Sequence, residues 1–332
     1  MSLPLPLSIL DLATVGEGET IKDGLDATVT LAQRAEEWGF RRIWYAEHHN
    51  MRAIASSATS VVIAHVAGQT ERITLGSGGI MLPNHSPLVI AEQFGTLATF
   101  HPGRIELGLG RAPGTDQQTV TALRRDPAAA DRFPQDVQEL QAYLSGESAV
   151  PGVQAYPGAG TAVPLYILGS SLYGAQVAAA LGLPYVFASH FAPQALEQAV
   201  ALYRREFRPS RQLSAPHVMA GVNVIAADSA EEAAERVRAV QRNRVKLFVS
   251  RGGHTLTDDE AEAVLELPAG EEIRSMTRYT AAGTPDEVAR YLEDFAARAD
   301  ADELIVTCPV VDRPGWFRSF ELLAGLMRAA TV

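Results

Sequence analysis

The sequence predicts an α/β fold, a single (β/α)8 TIM barrel with insertions after strands four and seven, on three observations. Eight short apolar runs alternate with helix-like segments along a chain of 332 residues. Several of these runs are almost continuously apolar, as expected of parallel strands buried on both faces. No composition shift, internal repeat or low-complexity tract divides the chain, so residues 1–332 are expected to form one domain.

Residues 5–12 open the series, broken by Ser8 and Asp11. Residues 20–39 have helical spacing, with Leu25, Val29, Ala32 and Ala35 on one face and Gly39 as the stop. Strand two, at 42–46, runs into the polar cluster Glu47-His48-His49-Asn50. Residues 60–68 read as a helix, 73–82 as strand three, 88–100 as a helix and 104–110 as strand four. Periodicity weakens after Asp116 and returns as a helix over 133–144. The proline- and glycine-rich passage 151–164 reads as an insertion loop or hairpin. Strands five to seven fall at 165–168, 185–188 and 218–226, separated by helices at 174–181 and 195–207. Ser229 caps the next helix, which carries Glu231 and Glu232 in its first turn. The stretch 251–279 is irregular and charged and receives no assignment. A helix at 285–297, strand eight at 303–306 and a closing helix at 316–327 complete the chain.

A formal net charge of -11 argues against nucleic-acid and anionic-membrane partners, both of which want a basic face. Cys308 is the single cysteine, which excludes an internal disulfide framework and a multi-cysteine metal site. No charged-then-apolar leader opens the sequence and no apolar run approaches the ~20 residues that span a bilayer, so a cytoplasmic location is expected.

In a barrel the chemistry sits at the carboxyl ends of the strands. After strand four, Gly108 and Gly110 precede Arg111, a guanidinium placed to grip an anion in bidentate fashion. Pro113 stands where a dinucleotide fingerprint needs a small residue opening a helix, which excludes that motif. After strand two, His48 and His49 point in opposite directions, so one of them at most faces the mouth with ease. Gly76-Ser77-Gly78-Gly79 inside a buried strand requires either a bulge or a flat ligand lying against the backbone. Gly169-Ser170-Ser171-Leu172-Tyr173-Gly174 leads into a helix, where Ser170 and Ser171 are either a second phosphate contact or an ordinary N-cap. Ser189-His190 is equally open, and Arg251-Gly252-Gly253-His254 is a rival anion site. Trp316 reads as core packing. No Gly-x-Ser-x-Gly elbow, Walker lysine motif or metal-ligand constellation is present in the sequence.

Four linked motifs carry a resemblance: Trp44-Tyr-Ala-Glu-His-His49, Leu75-Gly-Ser-Gly-Gly-Ile-Met-Leu-Pro-Asn-His-Ser-Pro87, Ala91-Glu-Gln-Phe94 and Pro102-Gly-Arg-Ile-Glu-Leu-Gly-Leu-Gly-Arg-Ala-Pro-Gly-Thr-Asp116. Together they resemble the bacterial-luciferase-like flavin monooxygenases, strongly over roughly the first 130 residues. The resemblance implies a (β/α)8 barrel in which Arg111 grips the FMN phosphate with Ser170, Ser171 and Tyr173. It implies that Gly78 and Gly79 occupy the place of a non-proline cis peptide beneath the isoalloxazine. His48 would stand near the reactive flavin edge as a base or hydrogen-bond donor. Gly110 replaces a cysteine of luciferase, so no thiol chemistry is expected there. The implied reaction is oxygenation of a small organic substrate by O2 through a C4a-hydroperoxyflavin, with reduced FMN delivered by a separate flavin reductase and the chain paired as a homodimer. An oxidoreductase using the deazaflavin F420 and a non-catalytic flavin-binding protein are the alternatives.

Overall fold

A computed structural model of the chain describes residues 5–249 and 256–328. Nine parallel strands form one sheet: β1 (Leu7–Asp11), β2 (Arg42–Tyr45), β3 (Thr74–Met81), β4 (Ile105–Gly110), β5 (Leu165–Gly169), β6 (Tyr185–Phe187), β7 (Val218–Ala226), β8 (Thr280–Gly283) and β9 (Glu303–Thr307). Strands β1 to β6 follow one another; β6 pairs with β7, β7 with β9 and β9 with β1, which closes an eight-stranded TIM barrel. The extra strand β8 pairs with the far part of β7, over 223–226.

Helices join the strands: α1 (Ile21–Trp38), α2 (Thr59–Ala67), α3 (Pro87–Phe100), α4 (Gln117–Ala122), α5 (Phe133–Ser145), α6 (Leu172–Leu181), α7 (Leu196–Glu206), α8 (Ala230–Val249), α9 (Asp258–Leu265), α10 (Pro268–Met276), α11 (Pro285–Ala299) and α12 (Arg313–Arg328). Local chemistry sets their ends. Thr20 and Asp23 form a capping box at the start of α1, and Gly39 ends it in the left-handed conformation. Outward strand residues such as Ile9, Ile43, Leu75 and Leu107 join the helices in the main apolar core. Inward residues Leu10, Trp44, Tyr166, Val186, Met219 and Ile305 fill the barrel itself.

Below that plug lies a buried charge network. Arg42 Nη1 donates to both oxygens of Glu106 at 2.9 and 2.8 Å, and Nη2 donates to Glu303 at 3.3 Å. Trp44 Nε1 and Tyr166 Oη each donate to Glu106 at 2.9 Å, and Ser8 donates to Glu303. Burial raises the Glu106 carboxyl above its ordinary range despite the attraction of Arg42.

One unassigned stretch gains structure, and one open alternative is decided. The unassigned stretch 251–279 holds α9 and α10 over its described part, and β8 follows it. These helices bury only Ala261, Leu265, Gly270 and Ile273, and α8 supplies Val245 to the small cluster they form. An apolar stripe that thin is masked by Asp258, Asp259, Glu260, Glu271 and Glu272. Of the two readings of 151–164, an insertion loop or a hairpin, the structure has the loop, built of turns. Residues 251–254, read as a rival anion site, lie outside the described residues.

Candidate active site

The strands deliver their polar exits to one end of the barrel. Glu47, immediately after β2, is buried and acts as a clamp. Its carboxylate accepts from His49 Nε2 at 2.9 Å, His85 Nε2 at 2.9 and 3.0 Å and the Met81 amide at 3.0 Å. Burial pushes this carboxyl up, but the hydrogen bonds and charge of His85, with His49 and Met81, outweigh it and hold it below the ordinary range.

His49 is thereby turned into the structure, and His48 is the histidine that remains. Its Nδ1 lies 3.4 Å from the Gly114 carbonyl oxygen, which can only accept, so Nδ1 carries the proton and Nε2 keeps a lone pair. Burial lowers the His48 pKa below the ordinary 6.5 against the opposing effect of the Gly114 contact, which favours a neutral imidazole.

The Gly78–Gly79 peptide bond is cis, and the pairing of β3 with β4 shifts register between Ser77 and Ile80. The bulge reading of these glycines is therefore realised. A Cβ on Gly79 would lie 2.8 Å from the Gly108 carbonyl oxygen, so backbone excludes a side chain there, whereas one on Gly78 would lie 2.4 Å from Leu10 Cδ1 and would require that side chain to shift.

Across the mouth, Arg111 leaves β4 and stacks its guanidinium 4.1 Å from the Tyr173 ring centroid, in the first turn of α6. Ser171 is the N-cap of α6 by position, yet its side chain makes no capping hydrogen bond. The ordinary capping role is thus not the one its hydroxyl plays. Arg125, which sequence reasoning missed, donates from Nη2 to the Arg111 carbonyl at 3.3 Å. Burial and the Arg111 charge lower the Arg125 pKa, and no carboxylate contributes. The Arg111 guanidinium, held against Tyr173 at an uncapped helix start, makes with the Ser170 and Ser171 hydroxyls a donor set suited to a phosphate.

After β6, Ser189 donates to the Gly221 carbonyl at 2.6 Å and is structural. His190 Nδ1 is buried with no hydrogen-bond partner. Burial above all lowers its pKa to about 3. Trp316 packs edge-on against Phe320, as read from the sequence, and burial raises the Cys308 thiol to about 11. Among the described residues no group of His, Cys, Asp and Glu could hold a metal ion, and no helix is long and apolar enough to cross a membrane.

A closed (β/α)8 barrel with His48, His190 and Arg111 at its strand exits has the arrangement of an enzyme of that fold. The chain belongs to the luciferase-like monooxygenase family, whose model matches residues 6–302. It is 45% identical over 320 residues to a luciferase-like monooxygenase of Escherichia coli strain K12, covering 96% of each chain. An N-acetyl-S-alkylcysteine monooxygenase of Bacillus subtilis is 33% identical over 338 residues, covering 98% of each. Among solved structures, apo-MsnO8 superposes with a TM-score of 0.87 at 34% identity, covering 98% of each chain.

Proposed function

We propose that this chain is an FMN-dependent monooxygenase that takes reduced FMN from a separate flavin reductase and uses O2 to oxygenate a small organic substrate, working as a homodimer in the cytoplasm. The observation that carries the reading is Arg111, which forms no ion pair with a described carboxylate and stacks on Tyr173 at the uncapped start of α6. These residues, with Ser170 and Ser171, hold the FMN phosphate. Gly78 and Gly79 back the ring system.

Reduced FMN supplies the electron pair that activates O2; the chain supplies position and protons. His48 is neutral and keeps Nε2 as an acceptor, so it takes or holds a proton at that atom during oxygen transfer. Leu10, Trp44 and Tyr166 seal the barrel beneath the mouth and keep water from entering through its floor. The relative that acts on N-acetyl-S-alkylcysteine makes small thioethers the first substrates to try.

Titration with FMN, reduced FMN and F420, followed by stopped-flow mixing of the reduced complex with O2, tests the reading. The expected result is FMN binding and a transient absorbance distinct from both reduced and oxidised flavin. Preferential F420 binding, or reoxidation with no transient, would count against it.

A further inference from the structure

Two histidines leave opposed strands of the barrel. In the closed order of eight, β2 and β6 stand four strands apart in either direction. Trp44 and Val186 point inward from them as part of the plug, and four residues beyond each comes a histidine, His48 and His190.

The backbone on either side of the His190 ring is tied to β7. Ser189 Oγ donates to the Gly221 carbonyl at 2.6 Å, and Asn223 Nδ2 donates to the His190 carbonyl at 2.7 Å. Met219 faces the barrel interior, so the alternation of β7 turns Gly221 the same way. A Cβ on Gly221 would lie 2.5 Å from His190 Nδ1, which puts the imidazole inside the barrel, one layer above Met219. The Phe191 ring stands edge-on to it, 5.1 Å away between centroids. Nδ1 is buried with no partner, and no described residue meets Nε2.

A ring that makes no hydrogen bond stabilises the fold no better than phenylalanine would, and an unpaired buried nitrogen carries a cost. Burial keeps the imidazole neutral, so one nitrogen holds the single proton. A buried donor without an acceptor is rarer than a buried acceptor without a donor, which places the lone pair at Nδ1 and the proton at Nε2, the nitrogen that is not enclosed. The donors beside it, Ser189 and Asn223, are spent on carbonyls. His190 therefore brings a free N–H to the mouth, where His48 keeps a lone pair at Nε2.

We propose that His190 is a second functional histidine of this site: its Nε2–H holds the oxygen that an uncharged substrate acquires, across the mouth from His48. A sulfoxide oxygen accepts well, whereas a thioether sulfur is a weak acceptor, so this donor favours the oxygenated form and acts where negative charge develops. The proposal rests on the monooxygenase reading for the origin of that oxygen, and not for the donor itself.

Calorimetric titration of the FMN-loaded protein with tetrahydrothiophene and with its cyclic sulfoxide, which differ by one oxygen, tests it. The ratio of the two dissociation constants is expected to shift toward the thioether by about fivefold in His190→Phe, the scale of one neutral hydrogen bond. His190→Gln, whose amide N–H reaches the place of Nε2, restores part of the ratio, whereas His190→Asn, which matches Nδ1, does not. An equal ratio in wild type and His190→Phe, rescue by Asn in place of Gln, or no measurable binding of the sulfoxide would overturn the proposal. FMN affinity is expected to be unchanged in His190→Phe, and a loss of about tenfold would give the ring to the cofactor. A second measurement needs neither variant nor ligand. Nitrogen NMR should find the ring proton at Nε2 in His190 and at Nδ1 in His48, and a proton at His190 Nδ1 removes the donor. Should FMN fail to load, the flavin reading alone falls, and the same titrations on the apo protein still decide the role of His190.

Discussion

The floor and the mouth of this barrel both hold arginines, and they treat them in opposite ways. On the floor Arg42 is fully enclosed and shared between Glu106 and Glu303. At the mouth Arg111 and its neighbour Arg125 form no ion pair with any described carboxylate, and His190 Nδ1 has no hydrogen-bond partner. A charge satisfied inside the chain contributes to a unique packing, whereas one left over is available to something that binds. The floor is thus a finished structure and the mouth an incomplete one.

Breaking the floor should have the largest effect. Arg42→Met leaves buried Glu106 without its counter-ion and Glu303 with only the more distant Arg41 and His217, and a loss of about 3–5 kcal/mol of stability is expected, read by denaturant unfolding. A loss below about 1 kcal/mol would show that the network is dispensable. The mouth should respond in the opposite sense. Arg111 is exposed and its recorded side-chain contact is the Tyr173 ring, so Arg111→Ala should leave the unfolding midpoint in place while weakening FMN binding by about 1–3 kcal/mol. Unchanged FMN affinity would remove Arg111 from the phosphate site, and the contrast between the two ends would lose its functional side.

The eight barrel strands were legible because parallel strands buried on both faces leave unbroken apolar runs. Strand β8 was not, since Thr-Ala-Ala-Gly is four small residues pressed against the capping Thr284 of α11. Arg111 could be read from its place after a glycine-rich strand. Arg125, which meets the Arg111 carbonyl, could not, because it sits among other charged residues in a stretch with no strand exit to mark it. The floor was hidden for a related reason. Arg42 and Glu303 looked like ordinary strand ends, and nothing local announces a contact across 261 positions.

The smallest effect predicted concerns acid, and it separates the two ends by sign. His190 has its pKa lowered from 6.5 to about 3, so between those values the unfolded chain binds a proton that the folded chain does not. Stability supplied by keeping His190 neutral is present above pH 6.5 and is lost as the pH falls, with a slope of at most about 1.4 kcal/mol per pH unit. His48, also lowered, acts in the same direction. Glu106 on the floor acts oppositely: its folded pKa is raised, so the folded chain takes up a proton before the unfolded chain does, and that term favours folding as the pH falls. The total slope is therefore a mixture, and the informative quantity is the difference between wild type and His190→Asn. The variant should lose less stability than wild type between pH 6.5 and about 5, measured by urea unfolding at each pH. Parallel curves would mean that His190 titrates alike in both states, and the mouth would then contain no histidine held neutral by its surroundings at that position.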